Sequence, residues 1–501
     1  MTMSLSERFD TLSNFCKTKG NQPALIGEKG RLSYEDLGAR CQGLYNAMQD
    51  APAGMVLIHG HKELDIVPAM MAATFAGRGF VFADITYPLS RVQQIVETCD
   101  CGVVLRTDPL AAQTELTTID TTTVANTPLQ NLRLKAADEE TYFYVTFTSG
   151  STGIPKGIPT TRASYAALAG WFEPQNTNAA GGQYAHVNHA SMAFDMSMSD
   201  IWTTLFAGRP LYLLDHTNTL NPRANIRHIT NSTDAPAGGL AATPAFYALM
   251  LEDPQFSEKH LPTLLGFWIG GESVPRPLLR DLRSRFPNCE IYHAYGPSEA
   301  ACITHSQLLS DDDLNSEQPL PLGAPQSGCG VLVKTDDGFK THGEGEIILV
   351  GPQVAACYWP IDHANNTNFG MIGEHRSYNT GDHGHLDADG VMTIHGRIDN
   401  QIKVNGFRIE LGEIERSAMQ VVGVKVAVAM KAQEGCTKGG IILVLSGDMV
   451  TEAHIDKVRT HLQRALPPFM VPASIRIEKT LPMSHAGKID RKSLAQLHAS
   501  I

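Results

Sequence analysis

The chain has 501 residues, 43% of them hydrophobic, and 40 Lys and Arg against 52 Asp and Glu give a formal net charge of −12. This acidic balance, without a basic tail, argues against nucleic acid or an anionic membrane surface as a partner. The length exceeds what one hydrophobic core usually spans, so we expect at least two domains.

The ends and the cysteines exclude further classes. The first residues lack a basic stretch before an apolar core, and no segment approaches the roughly 18 apolar residues of a membrane span. We therefore expect a cytoplasmic protein without membrane insertion. Among nine scattered cysteines, Cys99 and Cys101 are too close for the usual zinc spacing and have no matching second pair. We expect reduced thiols, no disulfides and no metal cage.

Along the chain, short β-rich runs such as 54–59 alternate with helical patterns such as 91–98 up to about residue 398. The pattern then changes to a small α+β arrangement. We predict an α/β protein with two domains. Residues 1–398 would form a large domain of stacked sheets and helices, and residues 399–501 a small α+β domain.

A loop rich in small and hydroxyl residues follows the strand-like run 142–147 and precedes a helical pattern. Glycine and hydroxyl residues let backbone N–H groups approach phosphate oxygens, and Lys156 adds a compact charge that can follow a departing pyrophosphate. The order is not a P-loop, because Pro155 stands where glycine is needed. The other candidate phosphate-binding residues are Thr148, Ser149, Gly150, Ser151, Thr152 and Gly153.

Further motifs follow one another along the chain, and they lie at 32–37, 80–91, 194–197, 293–299, 345–348, 378–382, 396–410 and 481–490. Together with the loop they resemble the adenylate-forming superfamily. Within it, they are most similar to stand-alone amino-acid adenylation enzymes akin to nonribosomal peptide synthetase adenylation domains, to D-alanine carrier-protein ligases and to the glycine carrier-protein ligase of lipid A glycinylation. The resemblance covers nearly the whole chain.

The resemblance implies ATP and Mg²⁺ as cofactors and a reaction in two halves. A carboxylate attacks the α-phosphate of ATP to give an acyl-adenylate and pyrophosphate, and a thiol then attacks the adenylate. Lys488 would be catalytic, bridging the carboxylate and the α-phosphate. Glu299 would bind Mg²⁺, which prefers oxygen ligands. Tyr295 would stack on adenine, Asp382 would accept hydrogen bonds from the ribose hydroxyls, and Arg397 would contact the ribose.

The same likeness implies roles for three more residues. Gly296 and Ser298 would belong to the ATP site. Asp399 would be a hinge about which the small domain rotates, withdrawing Lys488 for the second half-reaction.

Asp195 carries the prediction about substrate class. In amino-acid-activating members, the aspartate of the Phe-Asp-x-Ser motif pairs with the α-ammonium group of the substrate. Asp195 stands between Phe194 and Met196, and a carboxylate buried in such apolar surroundings is costly without a cation. A helix N-cap role for Asp195 is the alternative.

Trp268 carries the prediction about substrate size. An indole at a wall position commonly held by an aliphatic residue would fill volume that a substrate side chain needs, which favours glycine ahead of alanine. If the indole instead turns into the core, serine or proline returns to contention. The other pocket positions implied by the motifs are Met196, Ser199, Ala245, Gly270, Ala294, Cys302 and Ile303.

The resemblance leaves the acceptor thiol to be supplied by a separate partner, most simply the phosphopantetheine of a small acidic carrier protein, as in systems that load D-alanine for teichoic acids or glycine for lipid A. An acyl-CoA ligase is one alternative, and Asp195 counts against it. A catalytically inactive nucleotide-binding protein is another, but Lys488, Glu299 and Asp382 are all present.

Overall fold

The computed structural model describes residues 3–134, 139–148, 155–215, 220–399, 401–404, 406–432, 440–446, 450–478, 480–482, 489 and 491–498. Two compact units make up the chain. The large unit comprises Met1–Ile85, Val96–Thr146 and Gly157–Ile398. The small unit comprises Thr86–Ile95, Phe147–Lys156 and Asp399–Ile501.

The helices are α1 (Leu5–Thr18), α2 (Tyr34–Ala47), α3 (Ile66–Phe75), α4 (Leu89–Thr98), α5 (Arg162–Ala179), α6 (Asp195–Phe206), α7 (Pro222–Thr230), α8 (Pro244–Leu251), α9 (Arg276–Arg285), α10 (Asp311–Asn315), α11 (Leu411–Met419), α12 (Glu452–Ala465) and α13 (Arg491–Leu497). None of these helices is both long and apolar enough to cross a membrane.

The strands are β1 (Pro23–Gly27), β2 (Gly30–Ser33), β3 (Met55–Gly60), β4 (Phe80–Asp84), β5 (Cys101–Arg106), β6 (Thr117–Asp120), β7 (Tyr142–Thr148), β8 (Lys156–Thr161), β9 (Ala185–Asn188), β10 (Leu211–Leu213), β11 (Ala237–Ala242), β12 (Gly266–Gly270), β13 (Glu290–Tyr295), β14 (His305–Leu308), β15 (Gly330–Thr335), β16 (Gly338–Lys340), β17 (Gly343–Val350), β18 (Phe369–Ile372), β19 (His375–Leu386), β20 (Met392–Arg397), β21 (Gln401–Val404), β22 (Phe407–Glu410), β23 (Val426–Lys431), β24 (Ile441–Ser446) and β25 (Ser474–Ile477).

The first two sheets are mainly parallel. One has the strand order β14-β13-β12-β11-β9-β10-β1-β2 and the other the order β6-β5-β3-β4-β7-β8. Strands β3, β4, β11 and β12 are buried along their whole length. Continuous apolar strands of this kind suit parallel sheets, whose two faces are both covered. The predicted α/β class is confirmed.

Local sequence signals fix the first helices of the large unit. Ser4 caps α1 and Ser33 caps α2, each reciprocated by an acidic residue three positions later, Glu7 and Asp36. Such capping boxes satisfy backbone N–H groups that have no partner inside the helix. The helices then pack their apolar residues against the sheets.

The third sheet is antiparallel, with the order β16-β15-β17-β19-β18. The strand β20 pairs with residues 382–386 of β19. Its strand β19 alternates buried and outward residues near its end, with Asp382 buried and His383 partly exposed. In the ladder between β19 and β20, Asp382 lies opposite Arg397, and His383 lies opposite Gly396. This register places Asp382 and His383 on opposite faces of the sheet.

The small unit contains the two-stranded ribbon β21-β22 and the sheet β23-β24-β25. Its core is formed by aliphatic residues of the strands and of α11 and α12, including Ile409, Ile414, Leu443, Val458 and Leu462.

Two buried ion pairs tie the upstream segments of the small unit to its third segment. Arg91 bonds Glu413 at 3.1 Å, and Lys156 bonds Glu410 at 3.1 Å.

Candidate active site

Asp195 is the first residue of α6. The helix is capped by Phe194, whose backbone is extended with φ −109° and ψ 146°, and no side chain caps it. Asp195 therefore does not act as the N-cap. Its negative charge in the first turn is favoured by the helix dipole.

The Asp195 carboxylate is buried with 9% of the residue exposed, and its Oδ2 has no hydrogen-bond partner among the described residues. Burial raises the pKa of Asp195, the Ser298 hydroxyl lowers it, and the nearby charge of Glu299 raises it. A buried carboxylate without a full set of partners is costly. The geometry therefore suits a cationic or hydrogen-donating ligand at this point.

Ser298 lies beside Asp195, whereas its motif predicts that Ser298 belongs to the ATP site. Cys302 also lies beside Asp195, and its pKa is raised well above the usual value, first by burial and then by the Asp195 charge. The Ser199 Oγ lies 3.8 Å from the Cys302 Sγ. Two distant segments of the sequence thus converge here, one carrying Asp195 and Ser199 and the other carrying Ser298 and Cys302.

A tight turn brings Cys302 to this position. Ala301 and Cys302 both have left-handed backbones, with φ 56° and φ 80°. Such conformations cost non-glycine residues about 1–3 kcal/mol each and persist where the surrounding structure enforces them. A Cβ added to Gly296 would lie 2.0 Å from the Cys302 carbonyl oxygen, so glycine is required there. This strain could not be predicted from the sequence, because neither residue is glycine or asparagine.

The parallel strands β12 and β13 approach closely at their carboxyl ends. A Cβ added to Gly270 would lie 2.2 Å from the carbonyl oxygen of Ala294, so this position accepts no side chain. A Cβ at Gly271 would lie 3.7 Å from the Met196 Cε. The structure therefore brings Met196 to the carboxyl end of β12. Ligand sites in α/β sheets commonly lie at such strand ends.

Trp268 is 1% exposed and lies within the core of the large unit. Its ring stacks on Tyr292 with centroids 5.3 Å apart and meets Phe172 edge-on at 5.8 Å. It passes close above Gly239 and Gly266, where added Cβ atoms would lie 3.2 Å and 3.0 Å from the indole. The indole thus leans toward the amino end of β12, whereas Gly270 lies at the carboxyl end. This orientation matches the second of the two alternatives stated from the sequence.

A buried polar network that was not predicted from the sequence contacts α6 through Ser197 and Asp200. Asn188 Nδ2 donates to Ser197 Oγ at 3.1 Å and to Asp200 Oδ2 at 3.0 Å. His186 Nε2 and Asp200 Oδ1 are 3.1 Å apart, and Lys62 Nζ donates to Asn188 Oδ1 at 2.8 Å. Buried hydrogen-bond networks of this kind favour one arrangement of the elements that carry them. This network holds the helix that begins at Asp195.

Tyr295, Asp382 and Arg397 form a second cluster. Tyr295 Oη donates to Asp382 Oδ2 at 2.6 Å, and Arg397 Nη1 donates to Asp382 Oδ1 at 2.9 Å. Burial raises the pKa of Tyr295, and the Asp382 charge raises it further. Three residues that the motifs supplied separately therefore meet: Tyr295 from the end of β13, Asp382 from within β19 and Arg397 from the end of β20. Each carboxylate oxygen retains acceptor capacity for a further hydroxyl donor.

Glu299 is fully buried in a short 3₁₀ turn at Ser298–Ala300. The Tyr358 hydroxyl donates to Glu299 Oε1, and the Tyr358 and Tyr378 hydroxyl oxygens are 2.9 Å apart. The two phenols orient the carboxylate. A hard oxygen donor of this kind fits one ligand position of Mg²⁺, whose remaining positions are commonly filled by phosphates and water.

Most of the predicted phosphate-binding loop and the lysine predicted to be catalytic lie outside the described residues, namely Ser149, Gly150, Ser151, Thr152, Gly153 and Lys488. The buried Thr148 Oγ1 has no hydrogen-bond partner among the described residues. Lys156 is 1% exposed and engaged by Glu410, a contact that the sequence did not predict. Asp399 Oδ1 accepts a hydrogen bond from the Gln401 backbone at 3.1 Å.

The amino-acid sequence of this chain is similar to those of known enzymes. The model of the family described as AMP-binding enzyme matches residues 12–359. A D-alanine–D-alanyl carrier protein ligase of Bacillus cereus (strain G9842) is 30% identical over 95% of this chain and 96% of its own length. The corresponding ligase of Bacillus cytotoxicus is 28% identical, also over 95% of this chain and 96% of its own length.

Two solved structures share the fold. A nonribosomal peptide synthetase protein containing adenylation and carrier domains has a TM-score of 0.81 and 22% identity, covering 99% of this chain and 84% of the other. The Vibrio cholerae adenylation domain AlmE, in complex with glycyl-adenosine-5'-phosphate, has a TM-score of 0.82 and 19% identity, covering 99% of this chain and 98% of its own.

The chain belongs to the AMP-binding enzyme family, as its motifs predicted, and it is an AMP-forming ligase.

Proposed function

We propose that this enzyme activates a small amino acid with ATP as aminoacyl-AMP and transfers it to the phosphopantetheine thiol of a separate carrier protein. Glycine is favoured as the substrate, followed by alanine. The observation that carries the amino-acid class is the buried Asp195 carboxylate, whose Oδ2 lacks a partner among the described residues. An α-ammonium group supplies both the positive charge and the hydrogen-bond donors that this oxygen lacks. An acyl-CoA ligase substrate without an amine would leave it unpaired.

The nucleotide is assigned to the second cluster. Tyr295 offers its ring face to adenine. Asp382 accepts hydrogen bonds from the ribose hydroxyls, and Arg397 donates a hydrogen bond to the Asp382 Oδ1 atom. Arg397 also donates to the Thr380 carbonyl oxygen at 3.1 Å, which limits its movement. Preorganised donors and acceptors of this kind lower the cost of orienting ATP for attack.

Glu299 is proposed as the protein ligand of Mg²⁺, held in place by Tyr358. Bound Mg²⁺ would neutralise charge on the phosphates. Lys488 is proposed to bridge the substrate carboxylate and the α-phosphate. Residues 1–398 are proposed as the adenylation domain, and 399–501 as the lid domain that carries Lys488, with Asp399 as its hinge.

The proposed substrate size follows from the relatives. The relatives in Bacillus are named for D-alanine, and AlmE holds glycyl-adenylate, so small amino acids are the first candidates. Because the Trp268 indole points into the core, serine and proline also remain candidate substrates and are included in the test.

The test is amino-acid-dependent exchange of labelled pyrophosphate into ATP, measured with each proteinogenic amino acid and D-alanine. We expect glycine to give the highest exchange and Lys488→Ala to abolish it. Asp389→Asn, at an exposed turn, is the matched control and should exchange normally. A preference for a bulky residue would contradict the small-substrate assignment. No exchange with any amino acid would overturn the proposed function and favour an acyl-CoA ligase or an inactive enzyme.

Transfer needs a separate measurement. Incubation with ATP, the preferred amino acid and a phosphopantetheinylated carrier protein should give an aminoacyl thioester, detected by intact-protein mass spectrometry. The carrier without phosphopantetheine is the control, because it lacks the thiol. Exchange without loading of any tested carrier, while coenzyme A is acylated, would contradict the proposed acceptor.

A further inference from the structure

Three side chains with metal-binding donor atoms meet on the outer face of the third sheet. Glu344 lies on β17, His383 on β19 and His395 on β20, which are neighbouring strands of the large unit. One donor atom from each residue lies within 4.8 Å of the other two. The Glu344 Oε1 is 3.8 Å from the His383 Nδ1 and 3.5 Å from the His395 Nδ1. We refer to these residues as the outer triad.

The register of the sheet produces this cluster. His383 lies opposite Gly396, and paired residues of a ladder project to the same face. Gly396 has no side chain there, and a Cβ added to it meets no atom within 4 Å. The face beside His383 is therefore open enough for an ion and its water ligands.

The donor set selects the class of ion. Imidazole nitrogen together with carboxylate oxygen suits zinc, copper, nickel and iron, whereas Ca²⁺ and Mg²⁺ prefer oxygen ligands alone. Zinc bonds to nitrogen and oxygen of about 2.1 Å in tetrahedral geometry place the ligand atoms about 3.4 Å apart. The two measured separations exceed this by only a few tenths of an ångström, which small side-chain rotations would close.

We propose that the outer triad binds one divalent transition-metal ion, with zinc as the reference case. Three protein ligands leave a fourth position for water or an exogenous ligand. The site is separate from the proposed Mg²⁺ ligand Glu299 and does not depend on the proposed function. It lies on the opposite face of the sheet from Asp382, and the ion would link β19 to β20 next to the Asp382–Arg397 pair.

This link has a measurable consequence for stability. A ligand that binds only the folded state raises the unfolding temperature as its concentration increases. Zinc should therefore raise the melting temperature of the full-length, chelator-treated protein, whereas equal concentrations of Mg²⁺ should not do so through this site.

The experiment is isothermal titration calorimetry of the full chain with ZnCl₂, together with thermal unfolding. We expect one saturable zinc equivalent in the wild type. The double variant His383→Asn/His395→Asn should lose it, and Glu344→Gln should weaken binding at least about tenfold, because a ligand is removed. His375→Asn is the matched control, since His375 is exposed on the same strand outside the triad. His385 is unsuitable as a control, because it lies opposite Glu344.

Binding that the double variant loses and His375→Asn retains would support the outer triad. Equal binding in all variants would place zinc elsewhere and overturn the assignment. Absence of saturable binding in the wild type would overturn it as well. Circular dichroism of the variants separates a lost ligand from a lost fold, and the exposed positions make unfolding an unexpected result.

Discussion

Asp382 and Asp195 are both buried carboxylates of the large unit, yet their surroundings differ. Asp382 receives hydrogen bonds from Tyr295 and Arg397, one on each oxygen. Asp195 has an oxygen without a partner among the described residues, and the charge of Glu299 lies nearby. The first carboxylate is stabilised by the protein itself. The second keeps one oxygen to which a ligand could donate a hydrogen bond. In the proposed function, Asp382 therefore orients the nucleotide, whereas Asp195 binds the ammonium group of the substrate.

The largest effect is expected for Asp195→Asn. Removal of one charge from a buried, hydrogen-bonded pair typically costs about 2–5 kcal/mol of binding. The KM for the amino acid in pyrophosphate exchange should therefore rise at least about thirtyfold, while the KM for ATP changes little. An equal rise in both KM values would show that Asp195 acts on the whole site, and an unchanged amino-acid KM would contradict the ammonium assignment.

His61 is a cation that pairs with two carboxylates and loses its charge as the pH rises. The contribution of this pairing to stability can therefore be measured by changing the pH. His61 Nδ1 lies 2.9 Å from Asp84 and its Nε2 3.0 Å from Asp215. Burial lowers the pKa of His61, but the hydrogen bonds and charges of the two aspartates outweigh it and raise the pKa to about 9. The stabilisation is thus fully present below pH 6.5 and is lost as the pH rises through about 9, by on the order of 3 kcal/mol.

Chemical denaturation between pH 6 and pH 10 measures this effect as the difference between wild type and His61→Gln. This difference is needed because Lys62 contributes a pH dependence of opposite sign. Burial lowers the pKa of Lys62 to about 7, so its contribution makes the protein more stable as the pH rises over the same range. A gap between the two proteins that stays constant across this range would contradict a charged His61.

Asp382→Asn should destabilise the folded enzyme, because it removes the negative charge that accepts the hydrogen bonds of Arg397 and Tyr295. We expect a loss of about 2 kcal/mol in the free energy of unfolding and a higher KM for ATP with an unchanged KM for the amino acid. By contrast, Asp195→Asn should leave the fold unchanged or slightly more stable, since it removes a buried charge. If both variants changed the free energy of unfolding in the same direction, the distinction between the two carboxylates would be contradicted.

The smallest effect is expected for Trp268→Phe. The smaller ring loses contacts with Phe172 and Tyr292 and should lower the free energy of unfolding by about 1–2 kcal/mol. Since the indole leans away from Gly270, the ranking of amino acids in the exchange assay should not change. A shift of that ranking toward larger amino acids would instead show that Trp268 limits the substrate space.

The residues within each motif were predictable, but their partners were not. Asp195 was identifiable as a carboxylate in an apolar context, and Asp382 and Arg397 from their motifs. The hydrogen bond from Tyr295 to Asp382 joins strands 87 positions apart in sequence, so only the packed sheets reveal it. The network of Lys62, Asn188 and Asp200 was missed for the same reason. Taken singly, Lys, Asn and Asp are most often surface or helix-capping residues, so none of the three suggested a buried network.

The sequence by itself determined the family, the α/β class and the chemistry-bearing residue types, because ordered motifs and buried strand patterns are properties of the linear chain. The tertiary structure decided which carboxylate is paired, where the indole of Trp268 points, and that Glu344, His383 and His395 share one face. These outcomes depend on strand register and on competition for buried space, and both are settled only when distant segments pack together.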